Sequence, residues 1–295
     1  MISAITNTSS LNAIRYLNKS NNKLDTIYKR LSSGLKISSA KDDAAGLQIS
    51  NRLTSQIEGL KQGNKNAATG LAFAQTVEGA LDETTVMLQK IRTLANQAAT
   101  GTNTSAERTA IQAEVDQLCS EITRISCKTT FAGQKVLAGK NNGLVDSNGK
   151  VVLQVGANAN DTISVSLSSG FSLKGIASNT NVGTTALKTH SGVVAFSVSS
   201  AQSAQTTFQE IDKFIASVDS SRGELGAIQN RLESTISNQE NIIENETIAR
   251  SKIRDTDYAE EAANLTAQNI IQQMASAMLT QGNMRSQLAL SLIAG

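Results

Sequence analysis

Apolar residues recur at heptad spacing from the start of the chain. Leu17, Leu24 and Leu31 mark one seam position, and Ile14, Asn21, Tyr28 and Leu35 mark the other. This spacing predicts a coiled-coil helix over about residues 3–35, with Asn21 as a polar register marker. A second helix is predicted over about residues 43–99. There Leu53, Leu60, Ala67, Ala74, Leu81, Leu88 and Ala95 repeat every seven residues, with Ile57, Asn64, Leu71, Glu78 and Thr85 on the alternate seam. At 1.5 Å per residue such a helix runs roughly 85 Å, so it needs partner helices along its length.

Breakers and caps divide the rest. SAKD at 39–42 has the form of a capping box opening the second helix, and TSAE at 104–107 repeats it for a third. Ile111, Val115, Leu118, Ile122 and Ile125 give that third helix a seam, and the turn at 100–105 sends it back antiparallel. From about 129 to 200 Gly, Asn, Ser and Thr dominate. Val151, Leu153 and Val155, then Ile163, Val165 and Leu167, alternate with polar or small neighbours as strands do. Asn148-Gly149 is a hairpin turn signal, 156–161 is a longer turn, and 193–198 reads as a short strand or a helix run-in. Helix resumes at about 201 and runs towards 254, with a candidate break at 220–226. The acidic stretch from Asp255 to Glu261 opens a last helix, where carboxylates favour the positive end of the dipole. That helix is apolar on a wide face, through Leu265, Ile270, Ile271, Met274, Met278, Leu279, Leu288 and Leu292.

The predicted fold class is therefore mainly α: long antiparallel coiled-coil helices from both chain ends, with a small central β-hairpin region. Residues 1–42 are net positive and 255–295 net negative, so the two ends are expected to pair.

Composition sharpens this picture. The 295 residues include no proline and no tryptophan, and aromatics are 3%. Proline kinks helices, so its absence permits very long ones. The net charge of +2, without any dense basic run, gives no footprint for nucleic acid. No apolar run is long enough to span a membrane, and the first ten residues do not read as a secretory signal. Cys119 and Cys127 lie eight positions apart on one helix, about 12 Å, too far for a disulfide, and are expected as buried or half-buried thiols. His190 stands alone in a Ser/Thr/Gly-rich stretch. No phosphate loop, zinc motif, paired-cysteine motif or nucleophile elbow occurs, so no catalytic, cofactor or metal residue is assigned.

Four segments carry a resemblance: RLSSGLKISSAKDDAAGL at 30–47, QVGAN at 154–158, RGELGAIQNRL at 222–232 and ARSKIRDTDY at 249–258. They are similar to bacterial flagellins, over about residues 1–170 and 205–295. The resemblance implies a structural subunit, not an enzyme, secreted unfolded and polymerised into the extracellular flagellar filament for motility. Segments 1–42 and 255–295 would form an inner coiled-coil domain that orders on assembly. Residues 43–254 would form a helical rod with the β region at about 129–200, and no outer domains. Ile14, Leu17, Leu24, Tyr28, Leu31, Leu35, Ile271, Met274, Met278, Leu288 and Leu292 are the implied assembly residues. The implied partners are further copies of the chain, an export chaperone at the C-terminal helix, the filament cap and the hook-associated proteins. QKIRTLANQ at 89–97 also matches a segment read by a host Toll-like receptor, implying contacts at Gln89, Lys90, Leu94 and Glu114. Lys90 stands where arginine is usual and lacks its planar fork, which implies weak activation. Two other readings share parts of the pattern: a hook–filament junction protein with the same terminal helices, and a cytoplasmic coiled-coil adaptor.

Overall fold

The computed structural model describes residues 6–140, 143–167, 170–180, 187–190 and 193–294; the side chains of 189, 190, 193 and 285–294 lie outside that description. In chain order the helices are α1 (Thr8–Ser33), α2 (Ala44–Ala99), α3 (Ser105–Lys128), α4 (Leu173–Thr180), α5 (Ala201–Arg254) and α6 (Tyr258–Ala294). Between them lie β1 (Thr130–Phe131), β2 (Gln134–Lys135), β3 (Lys150–Gln154), β4 (Thr162–Ser166), β5 (Leu187–His190) and β6 (Val193–Phe196). The strands form three separate antiparallel pairs, β1–β2, β3–β4 and β5–β6. The chain divides into two compact units, residues 1–57 with 244–295, and residues 58–243.

The 58–243 unit is built on α2, α3 and α5. Arg108 of α3 donates to the carbonyl oxygens of Ala98 and Thr100, fastening the antiparallel turn after α2. The Thr104 box forms as expected. Glu107 N–H donates to the Thr104 hydroxyl at 3.3 Å, and the Glu107 carboxylate accepts from Thr104 N–H at 2.6 Å. Antiparallel α2 and α5 are tied by Arg222–Asp82 at 2.8 Å, Arg92–Asp212 at 2.6 Å and Gln229–Glu78 at 2.7 Å. Ala67, Ala74, Leu81, Leu88 and Ala95 are all fully buried, as the heptads on α2 require. The scarce aromatics are concentrated here. Phe196 meets Phe214 edge-on at 5.0 Å and Phe73 meets Phe131 at 5.6 Å, while Arg92 lies over the Phe208 ring at 4.7 Å. Buried Gln112 on α3 donates to Phe196 O and accepts from Val198 N–H, closing both backbone groups at the end of β6.

The candidate break at 220–226 does not occur; α5 is one helix of 54 residues. A helical glycine costs only about 1 kcal/mol. Buried Leu225 and the Arg222–Asp82 pair hold this stretch in place. The strand readings at 151–155 and 163–167 hold, joined by the 156–161 turn, whose ends are closed by Val155 N–H and Gly156 N–H donating to Asp161 O. Asn148-Gly149 is a turn but not the hairpin turn. Its geometry is set by Asp146, which accepts from Asn148 N–H and Lys150 N–H, and it leads into β3, whose antiparallel partner is β4. The 193–198 segment begins as strand β6. Helix α4 and the two-residue strands carried no periodicity long enough to read in the sequence.

The hairpin lies against α2 because α2 is bare where it passes. A Cβ on Gly63 would run into the Val155 carbonyl, and one on Gly70 into the Leu153 side chain. The contact is held by Asn66 donating to Gln154 O at 2.9 Å and Gln239 of α5 donating to Val155 O at 2.7 Å.

In the other unit, α1 ends on Gly34 in the left-handed region (φ 71°), whose N–H donates to Arg30 O at 2.8 Å. The loops after α1 and after α5 are laced together. Lys36 N–H donates to Arg254 O at 2.7 Å and Thr256 N–H to Gly34 O at 3.0 Å. The 39–42 segment is not a capping box. Asp42 turns back onto Ser38 and Ser39, accepting from both N–H groups and both hydroxyls, while Asp43 caps α2 through Gly46 N–H at 3.0 Å. These bonds, led by those from Ser39, hold the Asp42 carboxyl below its ordinary range. The acidic start at 255–261 is a helix start: Asp257 accepts from Ala259 N–H at 2.8 Å.

Gly63→Ala is expected to lift the β3–β4 hairpin off α2 and cost about 1–3 kcal/mol, the range for overpacking. Thermal melting together with protease cleavage at 156–161 measures it; an unchanged melting point and cleavage rate would show that the close approach is not needed.

Candidate assembly interface

Helices α1 and α6 run antiparallel. Asn7 donates to Gly282 O at 2.8 Å, Ser20 to Gln268 O at 3.1 Å, and Gln272 to Asn21 Oδ1 at 2.8 Å; Arg30 reaches Glu261 at 3.3 Å. The positions most withdrawn from solvent keep strict heptad spacing on both helices. On α1 they are Ala13, Leu17, Ser20, Leu24, Ile27 and Leu31. On α6 they are Glu261, Leu265, Gln268, Gln272, Ala275, Leu279 and Gly282. This is a coiled-coil seam.

The composition of the seam on α6 is unusual. Four of its seven positions are Glu, Gln, Gln and Gly. The large apolar residues stand outside it: Ile271 is 44% exposed, Met274 61% and Met278 65%, and Ile270 is exposed beside them. On α1, Leu11, Ile14 and Tyr28 are likewise exposed. A groove of about 580 Å³ on the pair is walled by Tyr16, Ile270, Ile271, Met274 and Met278. Single exposed apolar residues are ordinary, but a contiguous apolar strip on a helix pair marks an interaction surface.

The assembly residues named from the sequence therefore fall into two sets. Leu17, Leu24 and Leu31 lie in the intrachain seam and Leu35 beside its end, half-buried. Ile271, Met274 and Met278 wall the open apolar groove with Tyr16, while Ile14 and Tyr28 are exposed on α1 outside it. The side chains of Leu288 and Leu292 lie outside the described residues. The seam partners on α1 are Ala13, Ser20 and Ile27, one position before each of Ile14, Asn21 and Tyr28. A small or polar residue at two of those three positions hides them from a hydrophobicity pattern.

Of the four receptor-motif residues, Gln89, Lys90 and Glu114 are exposed, with Lys90 and Glu114 paired at 3.6 Å; Leu94 is buried in the main core at 9% exposure. Both cysteines are free thiols. Cys119 is buried, and desolvation pushes its pKa up to about 12. Cys127 is exposed, against the expectation of a covered thiol. Eight positions is about 80° around a helix, which carries Cys127 off the seam that holds Cys119. Among the described residues no group of His, Cys, Asp and Glu is arranged to hold a metal ion, and no helix is long and apolar enough to cross a membrane. The side chain of His190 lies outside the described residues.

Long helices paired through a modest seam, with their apolar residues turned outward, define a structural protein that associates with other chains. The family comparisons specify which. The model of the bacterial flagellin N-terminal helical region matches residues 5–142, and that of the bacterial flagellin C-terminal helical region matches residues 208–293. Flagellin B of Vibrio cholerae is 35% identical over 373 aligned positions, covering 99% of each chain. A flagellin of Halalkalibacterium halodurans is 39% identical over 287, covering 97% of this chain and 98% of its own. Among solved structures, a putative flagellar hook-associated protein from Vibrio parahaemolyticus shares the fold, with a TM-score of 0.56 at 14% identity, over 72% of this chain and 100% of that one. The chain belongs to the bacterial flagellin family, as a subunit of the extracellular flagellar filament. Full-length identity to flagellins gives the hook–filament junction reading no advantage.

A thiol reagent applied to the native subunit is expected to label Cys127 and leave Cys119 unlabelled until the chain unfolds, as read by mass spectrometry of digests. Equal labelling of both in the folded protein would contradict the packing of α3.

Proposed function

We propose that the open flank of the α1/α6 pair is the surface through which subunits polymerise. Terminal helices of neighbouring copies would cover Ile270, Ile271, Met274 and Met278 on α6 with Tyr16 on α1, and further copies would cover Ile14 and Tyr28 elsewhere on α1. The observation that supports this is the division on α6 between a small and polar intrachain seam and a large apolar flank. Burying each such flank side chain contributes about 1.5–3 kcal/mol. The helices would gain this only on assembly, so ordering and polymerisation would be coupled. Contacts of this kind between identical subunits are heterologous and generate an open helical polymer.

In this reading segments 1–42 and 255–295 form the inner domain of the filament. Residues 43–254 form the rod around it with the β region as a flap, in a minimal flagellin without outer domains. The subunit would be exported unfolded, with a chaperone covering the apolar C-terminal helix and a cap placing each copy at the tip beyond the hook-associated proteins. Exposed Gln89, Lys90 and Glu114 support recognition by a host Toll-like receptor; buried Leu94 and the Lys90–Glu114 pair favour a weak response.

Removing residues 265–295 is expected to leave a soluble subunit that retains the helical signal of the 58–243 unit and does not elongate filament seeds. Electron microscopy after seeding checks it. Filaments growing at the usual rate from the truncated chain would sink the proposal.

A further inference from the structure

A second groove on the α1/α6 pair differs in chemistry from the apolar one. It holds about 640 Å³ and is lined by Lys19, Lys23 and Arg30 from α1, with Glu261 from α6 and buried Ile27 as its floor. Glu261, 5% exposed, is already engaged by Arg30. Among the described residues Lys19 and Lys23 make no ion pair, and Arg30 Nε is buried without a hydrogen-bond partner. The groove thus carries three cations against one carboxylate, and that carboxylate is taken.

The same unit carries exposed carboxylates that are equally unmatched. Glu244 on α5 and Glu260 on α6 are exposed and make no ion pair among the described residues. One chain therefore presents an unfilled basic groove together with free acidic side chains. Two identical copies in a head-to-tail contact satisfy both, because each offers what the other lacks.

We propose that the Lys19/Lys23/Arg30 groove receives carboxylates of a second copy of this chain. The proposal rests on the assembly reading above and adds charge selection to it. The apolar flank supplies non-directional burial, which tolerates sliding along the helix. A carboxylate seated between Lys19 and Lys23 sets the axial register. It also makes encounter between subunits faster at low ionic strength.

The direct test is zero-length carbodiimide crosslinking of filaments grown from an equal mixture of ¹⁴N- and ¹⁵N-labelled full-length protein. Peptide mass spectrometry is expected to find Lys19 or Lys23 joined to a carboxylate in mixed-isotope pairs. Absence of such pairs at both lysines, or pairs of one isotope only, overturns the proposal. In seeded elongation followed by light scattering, the Lys19→Glu/Lys23→Glu variant is expected to slow about tenfold at low salt and to lose most of its salt dependence. Lys29→Glu, outside the groove, is expected to keep the natural rate. Elongation of the double variant at the natural rate overturns the proposal, including in favour of a small anion or an acidic partner protein as the occupant. Met274→Asp separates the two readings. If it blocks growth while the lysine variants grow normally, the groove proposal fails and the assembly reading stands; if it too grows normally, the assembly reading fails.

Discussion

An α-helix can hide one apolar stripe behind one partner, and the terminal helices of this chain carry more apolar surface than one stripe. On α6 the stripe given to α1 is the poorer one, built from Glu261, Gln268, Gln272, Ala275 and Gly282 among two leucines. Its polar side chains meet partners across the pair: Glu261 meets Arg30, Gln268 Oε1 accepts from the Ser20 hydroxyl, and Gln272 donates to Asn21 Oδ1. The intrachain seam therefore sets register and direction without consuming the large apolar side chains. Ile270, Ile271, Met274 and Met278 remain outside, and their exposure is what a polymerising subunit requires. The mobile thioether chains of methionine suit a surface that must fit several neighbours.

The 58–243 unit follows the opposite rule. Most of its large apolar residues are turned inward into one core: Leu81, Leu88, Ile122, Ile211, Phe196 and Phe214 are all buried. Buried Gln112 closes two backbone groups within it. A unit with its own core, in one chain with a unit whose apolar side chains are exposed, is the arrangement a filament subunit needs if it is to exist both free and assembled. The bare strip of Gly63 and Gly70 on α2 serves the first unit only, letting the β3–β4 backbone lie directly on the helix.

Much of this was legible in the sequence wherever a single periodicity ran far enough. The α2 heptads gave a helix and its buried face without a break from Ala67 to Ala95. The resemblance of 30–47 and 222–258 to flagellins carried the family. Local chemistry was harder where two residues competed for one role. Asp43, not Ser39, caps α2, because Asp42 is occupied by Ser38 and Ser39. The glycines at 223 and 226 read as a break, but packing of Leu225 outweighs their propensity. The α1 seam was displaced by one position because Ala13 is small and Ser20 polar, while Ile14 beside Ala13 is large and exposed. A pattern search assumes that large apolar residues face the partner in the same chain, and here several of them are left exposed.

The central claim is that the apolar flank of α1/α6 is completed by other subunits. Amide hydrogen exchange measured segment by segment in soluble subunit and in filaments tests it directly. The account predicts fast exchange in α1 and α6 of the soluble subunit, strong protection of both in filaments, and protection of the 58–243 core in both states. Equal protection of α1 and α6 before and after assembly would contradict it.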